Sequence, residues 1–180
     1  MKSHYFLGIK VPPSIAKSIV EARDKTNLRE THKTLPVAED LHITLFYVGA
    51  IEQAVLEPII QSFQKIDWSS FILTTAGLEH FGNDLTPRVV YIGLEESDSL
   101  NHLQQDVMQK ITNVIEINTS KDFHAHITIA KKWSSTASLL IDDFLLTKES
   151  FEVSKFSIFK INPTRIPRYE EVGSIQCRRV

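Results

Sequence analysis

The tripeptide His-Ile-Thr occurs twice, at residues 42–44 within "DLHITLFYVG" and at 126–128 within "DFHAHITIAKKW", each time in a short apolar run. In an extended strand, successive side chains point to opposite faces. His42, Thr44, Phe46 and Val48 are therefore expected on one face, with Ile43, Leu45 and Tyr47 on the other. The second segment repeats the pattern, with His124, His126, Thr128 and Ala130 opposite Ile127 and Ile129. The aliphatic side can enter a core, which leaves imidazole and hydroxyl together outside it. One such pair more often marks a structural histidine than a catalyst. Two equivalent pairs ask for a sheet built twice, with both pairs brought to one cleft.

The surrounding pattern agrees with such a duplication. "YFLGIKV" at 5–11 reads as a buried strand closed by Pro12 and Pro13, and Pro13 can open a helix carrying Ile15, Ala16, Ile19 and Val20. That helix is expected to fade into "TNLRETHKT". Val55, Leu56, Ile59, Ile60 and Phe63 mark a second helix. "SFILTTAGLEHF" and "RVVYIGLE" read as strands joined by the loop "GNDLTP". A longer helix follows, with a Leu100, Leu103, Val107, Ile111 and Val114 stripe and an N-cap in Ser97-Asp98-Ser99. After the second His-Ile-Thr strand come a short helix through "SLLIDDFLL" and strands at "FEVSKFSIFKI" and "RYEEVGSIQC". Tyr5 precedes His42 by 37 positions, as Val89 precedes His126. The expected organisation is one domain over 1–180 made of two intertwined lobes, with a duplicated strand–helix–His-x-Thr unit near 5–48 and 89–132.

Two imidazoles and two hydroxyls in one cleft suit cleavage of a phosphodiester. A neutral histidine can take a proton from the attacking oxygen while a protonated one gives a proton to the departing oxygen. Imidazole alone has an ordinary pKa, about 6.5, that lets both forms coexist near neutrality. Threonine hydroxyls can donate to the non-bridging phosphoryl oxygens. No metal or other cofactor is needed. His124 adds a third imidazole, but a metal site needs a third and usually a fourth ligand, and no spacing singles out Asp40 or Asp122. The catalytic candidates are thus His42 and His126, and the candidate substrate contacts Thr44, Thr128, Phe46 and His124. Phe46 would stack on a base. His4, His32, His80 and His102 read as surface or structural.

Charge and cysteine content narrow the partner and setting. A formal net charge of −2 offers no general positive field for a long nucleic acid, so any nucleic-acid partner is expected to be short or held by one end. A local basic patch from Arg88, Lys131, Lys132, Arg165 and Arg168 is expected on folding. The single cysteine, Cys177, excludes an internal disulfide framework. No segment has the form of a signal peptide or the roughly 20 apolar residues of a membrane span, so the expected setting is cytoplasmic, away from membranes and without an obligate protein partner.

With its motifs laid out, the chain resembles the 2H phosphoesterases, and among them the bacterial and archaeal RNA 2′,3′-cyclic phosphodiesterases, also called 2′-5′ RNA ligases. The first motif is matched by His42, Thr44, Leu45, Tyr47, Val48 and Gly49, and the second by His126, Thr128, Ile129 and Lys131. "TPRVVYIGL", with Pro87 and Arg88, and "RYEEV" are similar to flanking segments of that family, and the resemblance adds Lys131 and Arg88 to the candidate substrate contacts. The resemblance implies an α+β, bilobal, pseudo-twofold fold in which two mainly antiparallel sheets face a central cleft, helices outside. It also implies hydrolysis of a 2′,3′-cyclic phosphate to a 2′-phosphate, with His42 as acid at the 3′ oxygen and His126 as base for water. Ala125 stands where the family usually has Pro, and Lys131 where it often has Arg. Strict alternation turns Lys131 away from the His126 face, so its use needs a bend or bulge, and Lys132 is the parity-favoured substitute. The alternatives from other classes are an RNA-end or nucleotide-binding module without turnover, and the same catalytic pair acting on another cyclic or 2′-5′ phosphodiester.

Overall fold

The computed structural model describes residues 2–116 and 122–178; residues 117–121, inside the second expected copy, lie outside it. The chain runs β1 (Lys2–Lys10), α1 (Pro13–Arg23), α2 (Leu28–Thr31), β2 (His32–Thr34), a 3-10 turn (Ala38–Asp40), β3 (His42–Glu52) and α3 (Gln53–Phe63). It continues through β4 (Phe71–Gly82), β5 (Pro87–Leu94), α4 (Asp98–Thr112), β6 (His126–Trp133), β7 (Ser150–Val153), β8 (Lys155–Ile161) and β9 (Tyr169–Gln176). The α+β class, the antiparallel pairing and the two halves follow the expectation.

The strand order is β7-β4-β5-β6-β3-β1-β8-β9, with β2 on β6, and every pairing is antiparallel. The two halves meet between β3 and β6 at a single bridge, Ile43 to Ile127. Each half presents its histidine strand in the same way. In one, Lys10, Ile9 and Gly8 pair with His42, Ile43 and Thr44. In the other, Gly93, Ile92 and Tyr91 pair with His126, Ile127 and Thr128. One core serves both halves: Ile9, Ile43, Ile92 and Ile127 are buried in the same apolar cluster as Ile15 and Ile19 of α1, Ile59 of α3 and Leu103 and Val107 of α4. The helices thus cover the aliphatic face, and the histidines occupy the other.

Local rules account for the helices. Pro13 opens α1, where its missing N–H costs nothing. The Ser97 side chain accepts the Leu100 N–H at 3.2 Å to cap α4, whose Leu100, Leu103, Val107 and Ile111 are buried, while Val114 falls beyond its end. Among the described residues no helix is long and apolar enough to cross a membrane.

Three expectations need correction. "SLLIDDFLL" is not helical, because Asn27 takes up carbonyls a helix would use: its side-chain amide donates to the Ser138 carbonyl at 2.8 Å and its backbone N–H to the Leu140 carbonyl at 3.3 Å, while its side-chain oxygen accepts the Leu140 N–H at 2.7 Å. "TNLRETHKT" holds one helical turn and then β2, paired with Trp133 and Lys131 of β6. The apolar run "FEVSKFSIFKI" is split at Ser154, with β7 on β4 and β8 on β1, so that the chain passes from one half to the other there.

Candidate active site

Both His-Ile-Thr segments begin their strands, and both are followed at once by a β-bulge. In β3, Thr44 pairs with Gly8 and Phe46 with Leu7, which leaves Leu45 as the extra residue. In β6, Thr128 pairs with Tyr91 and Ala130 with Val90, which leaves Ile129 extra. A bulge inserts one residue and so reverses the side-chain alternation beyond it. Phe46 and Ala130, expected on the histidine face, therefore turn inward, with Phe46 packed against the core beside Leu7. The same reversal carries Lys131 onto the His126 side, while Lys132 is exposed with φ +68°.

Phe6, rather than Phe46, is the aromatic at His42. Its ring centroid lies 4.5 Å from the imidazole, and Phe159 and Tyr169 pack on Phe6 at 5.1 and 5.0 Å. Tyr169 also meets His42 edge-on at 5.0 Å. Gly8 admits this stack, since a Cβ there would sit 2.8 Å from the Ile43 carbonyl and 3.2 Å from the Phe6 ring. In the other half, Phe81 and Tyr91 hold His126 at 5.1 and 5.2 Å. The Tyr91 hydroxyl donates to Glu79 at 2.9 Å and lies 3.1 Å from His124 Nε2.

The two imidazoles are anchored alike. His42 Nδ1 lies 2.7 Å from the Asp40 carbonyl oxygen, and His126 Nδ1 lies 2.7 Å from the His124 carbonyl oxygen. A carbonyl can only accept, so each Nδ1 carries the hydrogen and each neutral ring keeps an unprotonated Nε2. His42 Nε2 is 3.1 Å from Thr44 Oγ1, from which the neutral ring accepts. Across the antiparallel bridge, His42 sits beside Thr128 and Thr44 beside His126.

Burial is the main cause of a His42 pKa lowered to about 4; the Asp40 carbonyl opposes it, and the Lys131 and His126 charges add to it. Burial likewise lowers His126, with the His124 carbonyl opposing and the His124 ring adding. Lys131 is lowered first by burial and then by the Arg168 and Lys132 charges.

Of the remaining candidates, His124 is exposed, its ring stacked 6.2 Å from that of His126. Arg88 is exposed at the head of β5. Among the described residues no three His, Cys, Asp or Glu side chains form a group that could hold a metal ion. His32 is structural, buried between Thr31 Oγ1 and the Pro87 carbonyl at 2.9 Å each.

Asp40, weighed from the sequence only as a metal ligand, has a different role in the structure. It is buried, both carboxylate oxygens accept the Arg168 N–H at 2.9 Å, and one accepts the Tyr169 N–H at 3.1 Å. It thus fixes the head of β9 against the turn that anchors His42. A short acidic residue two positions before a histidine was the only signal, and it points to no partner so far away in the chain.

The family model of the 2′-5′ RNA ligase superfamily matches residues 11–165. An RNA 2′,3′-cyclic phosphodiesterase of Bacillus subtilis (strain 168) is 26% identical over 182 residues, covering 98% of this chain and 97% of that protein. One from Geobacillus stearothermophilus is 26% identical over 178 residues, 96% of this chain, and the match spans only 57% of that longer protein. The crystal structure of E. coli LigT complexed with 3′-AMP superposes with a TM-score of 0.82 at 20% identity, covering 99% of this chain and 100% of that one, which is a likeness of fold. A family match running through both histidine strands, on a fold shared from end to end, makes this chain a member of the 2′-5′ RNA ligase superfamily.

Proposed function

We propose that the chain is a phosphodiesterase that opens 2′,3′-cyclic phosphates at RNA ends or on nucleotides, leaving a 2′-phosphate, through His42 and His126 and without a metal ion. The observation that carries this reading is the matched anchoring of the two imidazoles, each with Nδ1–H on the carbonyl two residues before it. That anchoring leaves both Nε2 atoms for proton transfer. The names of the curated relatives support the substrate class.

In the reaction, His126 Nε2 takes a proton from water as the water oxygen attacks phosphorus. The P–O3′ bond breaks, and His42 Nε2–H protonates the departing 3′ oxygen. Thr44 and Thr128 donate to the non-bridging oxygens, and Lys131 supplies positive charge nearby. Diagonal neighbours in a regular antiparallel ladder lie about 7–8 Å apart, which leaves a phosphoryl group within reach of both rings. A His42 pKa of about 4 means that the acid gains its proton as the substrate binds, because an anionic phosphate beside the imidazolium favours the charged form.

The test is hydrolysis of a nucleoside 2′,3′-cyclic phosphate in excess chelator, with the product identified by phosphorus NMR. The expected product is the 2′-phosphate at an undiminished rate. A 3′-phosphate product, or turnover stopped by the chelator, contradicts the reading.

A further inference from the structure

A small hollow opens beside His42, lined by Lys131 of β6 and by Arg165 and Arg168 of the segment between β8 and β9. It shares Asp40 and Tyr169 with the His42 surroundings. Its volume of about 80 Å³ holds several waters, each needing about 10–15 Å³ by the same measure, and so admits an oxyanion. Leu35 and Ile166 form part of the wall, and Ile166 is 82% exposed, so the mouth is open to solvent.

The cations lining this hollow, Lys131, Arg165 and Arg168, outnumber its one carboxylate, Asp40. Among the described residues neither Lys131 nor Arg168 has a carboxylate partner, and Arg165 reaches only the exposed Glu170, at 3.8 Å. The one acid in the lining, Asp40, has both oxygens engaged by backbone N–H groups. Three cations gathered around a space that admits an oxyanion, on a chain whose net charge is −2, call for an anion.

We infer that this hollow holds the phosphate on the 5′ side of the terminal nucleotide, with Arg165 and Arg168 as its ligands, so that the preferred substrate is an RNA end and not a cyclic mononucleoside. The inference rests on the proposed function and deepens it. A 2′,3′-cyclic nucleotide is closed at its 3′ side, so the rest of an RNA can leave only through the 5′ oxygen. The first phosphate met in that direction is the nearest further anion to the scissile group. Arginine presents a planar fork of donors suited to such an oxyanion.

The test compares kcat/KM for a nucleoside 2′,3′-cyclic phosphate with that for its 5′-phosphorylated counterpart, in wild type, Arg165→Gln and Arg168→Gln. The 5′-phosphate is expected to raise kcat/KM about tenfold in wild type, the yield of one charge-assisted hydrogen bond. That ratio is expected to fall towards one in either variant. A wild-type ratio near one, or variants that lower both substrates equally, overturns the inference while leaving the phosphodiesterase reading intact. Calorimetry with nucleoside 2′-phosphate and nucleoside 2′,5′-bisphosphate provides a readout independent of turnover. Tighter binding of the bisphosphate by wild type, lost in Arg165→Gln, supports the subsite, and equal affinities overturn it.

Discussion

Both carboxylate oxygens of Asp40 lie 2.9 Å from the backbone nitrogen of Arg168. Through its own carbonyl the same residue holds His42 Nδ1 at 2.7 Å, so one buried acid ties the head of β9 to the orientation of an imidazole. Asp40→Ala removes the acceptor of two amide donors, at a cost of about 1–3 kcal/mol for each that stays buried and unpaired. It also frees the turn that positions His42, and a displacement of about 1 Å at a reacting group is worth roughly 10²-fold in rate. Asp40→Asn keeps one acceptor and is expected to fall between wild type and Ala in denaturant unfolding. The Asp40 carboxylate raises the His42 pKa, so in both variants the acid limb of the kcat/KM profile is expected to move to lower pH. A variant that is merely less stable, with an unmoved acid limb, argues against the positioning role.

The two lowered imidazole pKa values fix the direction of the pH dependence. In the free protein His42 is neutral above about pH 4, and His126 loses its proton below its ordinary 6.5. One of the pair must hold a proton for chemistry to begin. Above pH 6.5 that state becomes rarer by about tenfold per unit, and kcat/KM is expected to fall accordingly. A steady-state profile from pH 4 to 9 with its optimum below 6.5 agrees with this, whereas an optimum at 8 or above does not.

Phe6 and Phe46 occupy opposite faces of the sheet, and substitution separates them. Phe6→Leu removes the ring 4.5 Å from His42 and is expected to lower kcat more than it lowers stability. Phe46→Leu is a nearly volume-conserving change against the core, costing up to about 1.5 kcal/mol. It is expected to leave kcat/KM within about twofold of wild type. Thermal unfolding and steady-state kinetics on the two variants decide the matter, and a loss of activity in Phe46→Leu comparable to that in Phe6→Leu is the adverse result.

The neighbouring lysines are likewise expected to part company. Lys131→Met removes a charge facing His42 and should lower kcat/KM by about 10- to 100-fold, the worth of one charge-assisted hydrogen bond. Lys132 has a left-handed backbone, which costs a non-glycine residue roughly 1–2 kcal/mol. Glycine relieves that and returns about 0.5–1 kcal/mol through the unfolded chain. Lys132→Gly is thus expected to gain up to about 1 kcal/mol in denaturant melts. Marked destabilisation by Lys132→Gly counts against the strain argument.

What the sequence made legible was local. Alternation in the two His-Ile-Thr strands, the Pro13 and Ser97 helix starts and the apolar stripe of α4 are each written in a few adjacent residues. The single inserted residues, Leu45 and Ile129, carry no signature of their own, yet they reverse the facing of the residues that follow them directly. They moved Phe46 off the candidate site and brought Lys131 onto it. Long-range polar partnerships were equally hidden: Asp40 with Arg168 and Tyr169, and Asn27 with the backbone of 138–140, join positions more than a hundred residues apart. The Asn27 contacts override the apolar spacing that had suggested a helix in that segment.

The most direct measurement is single-turnover hydrolysis of a nucleoside 2′,3′-cyclic phosphate by wild type, His42→Ala and His126→Ala, each first shown to be folded by circular dichroism. Each general acid or base typically contributes about 10² to 10⁴ in rate, so both variants are predicted to lose at least a hundredfold. Turnover within a few fold of wild type in either folded variant contradicts the two-histidine account.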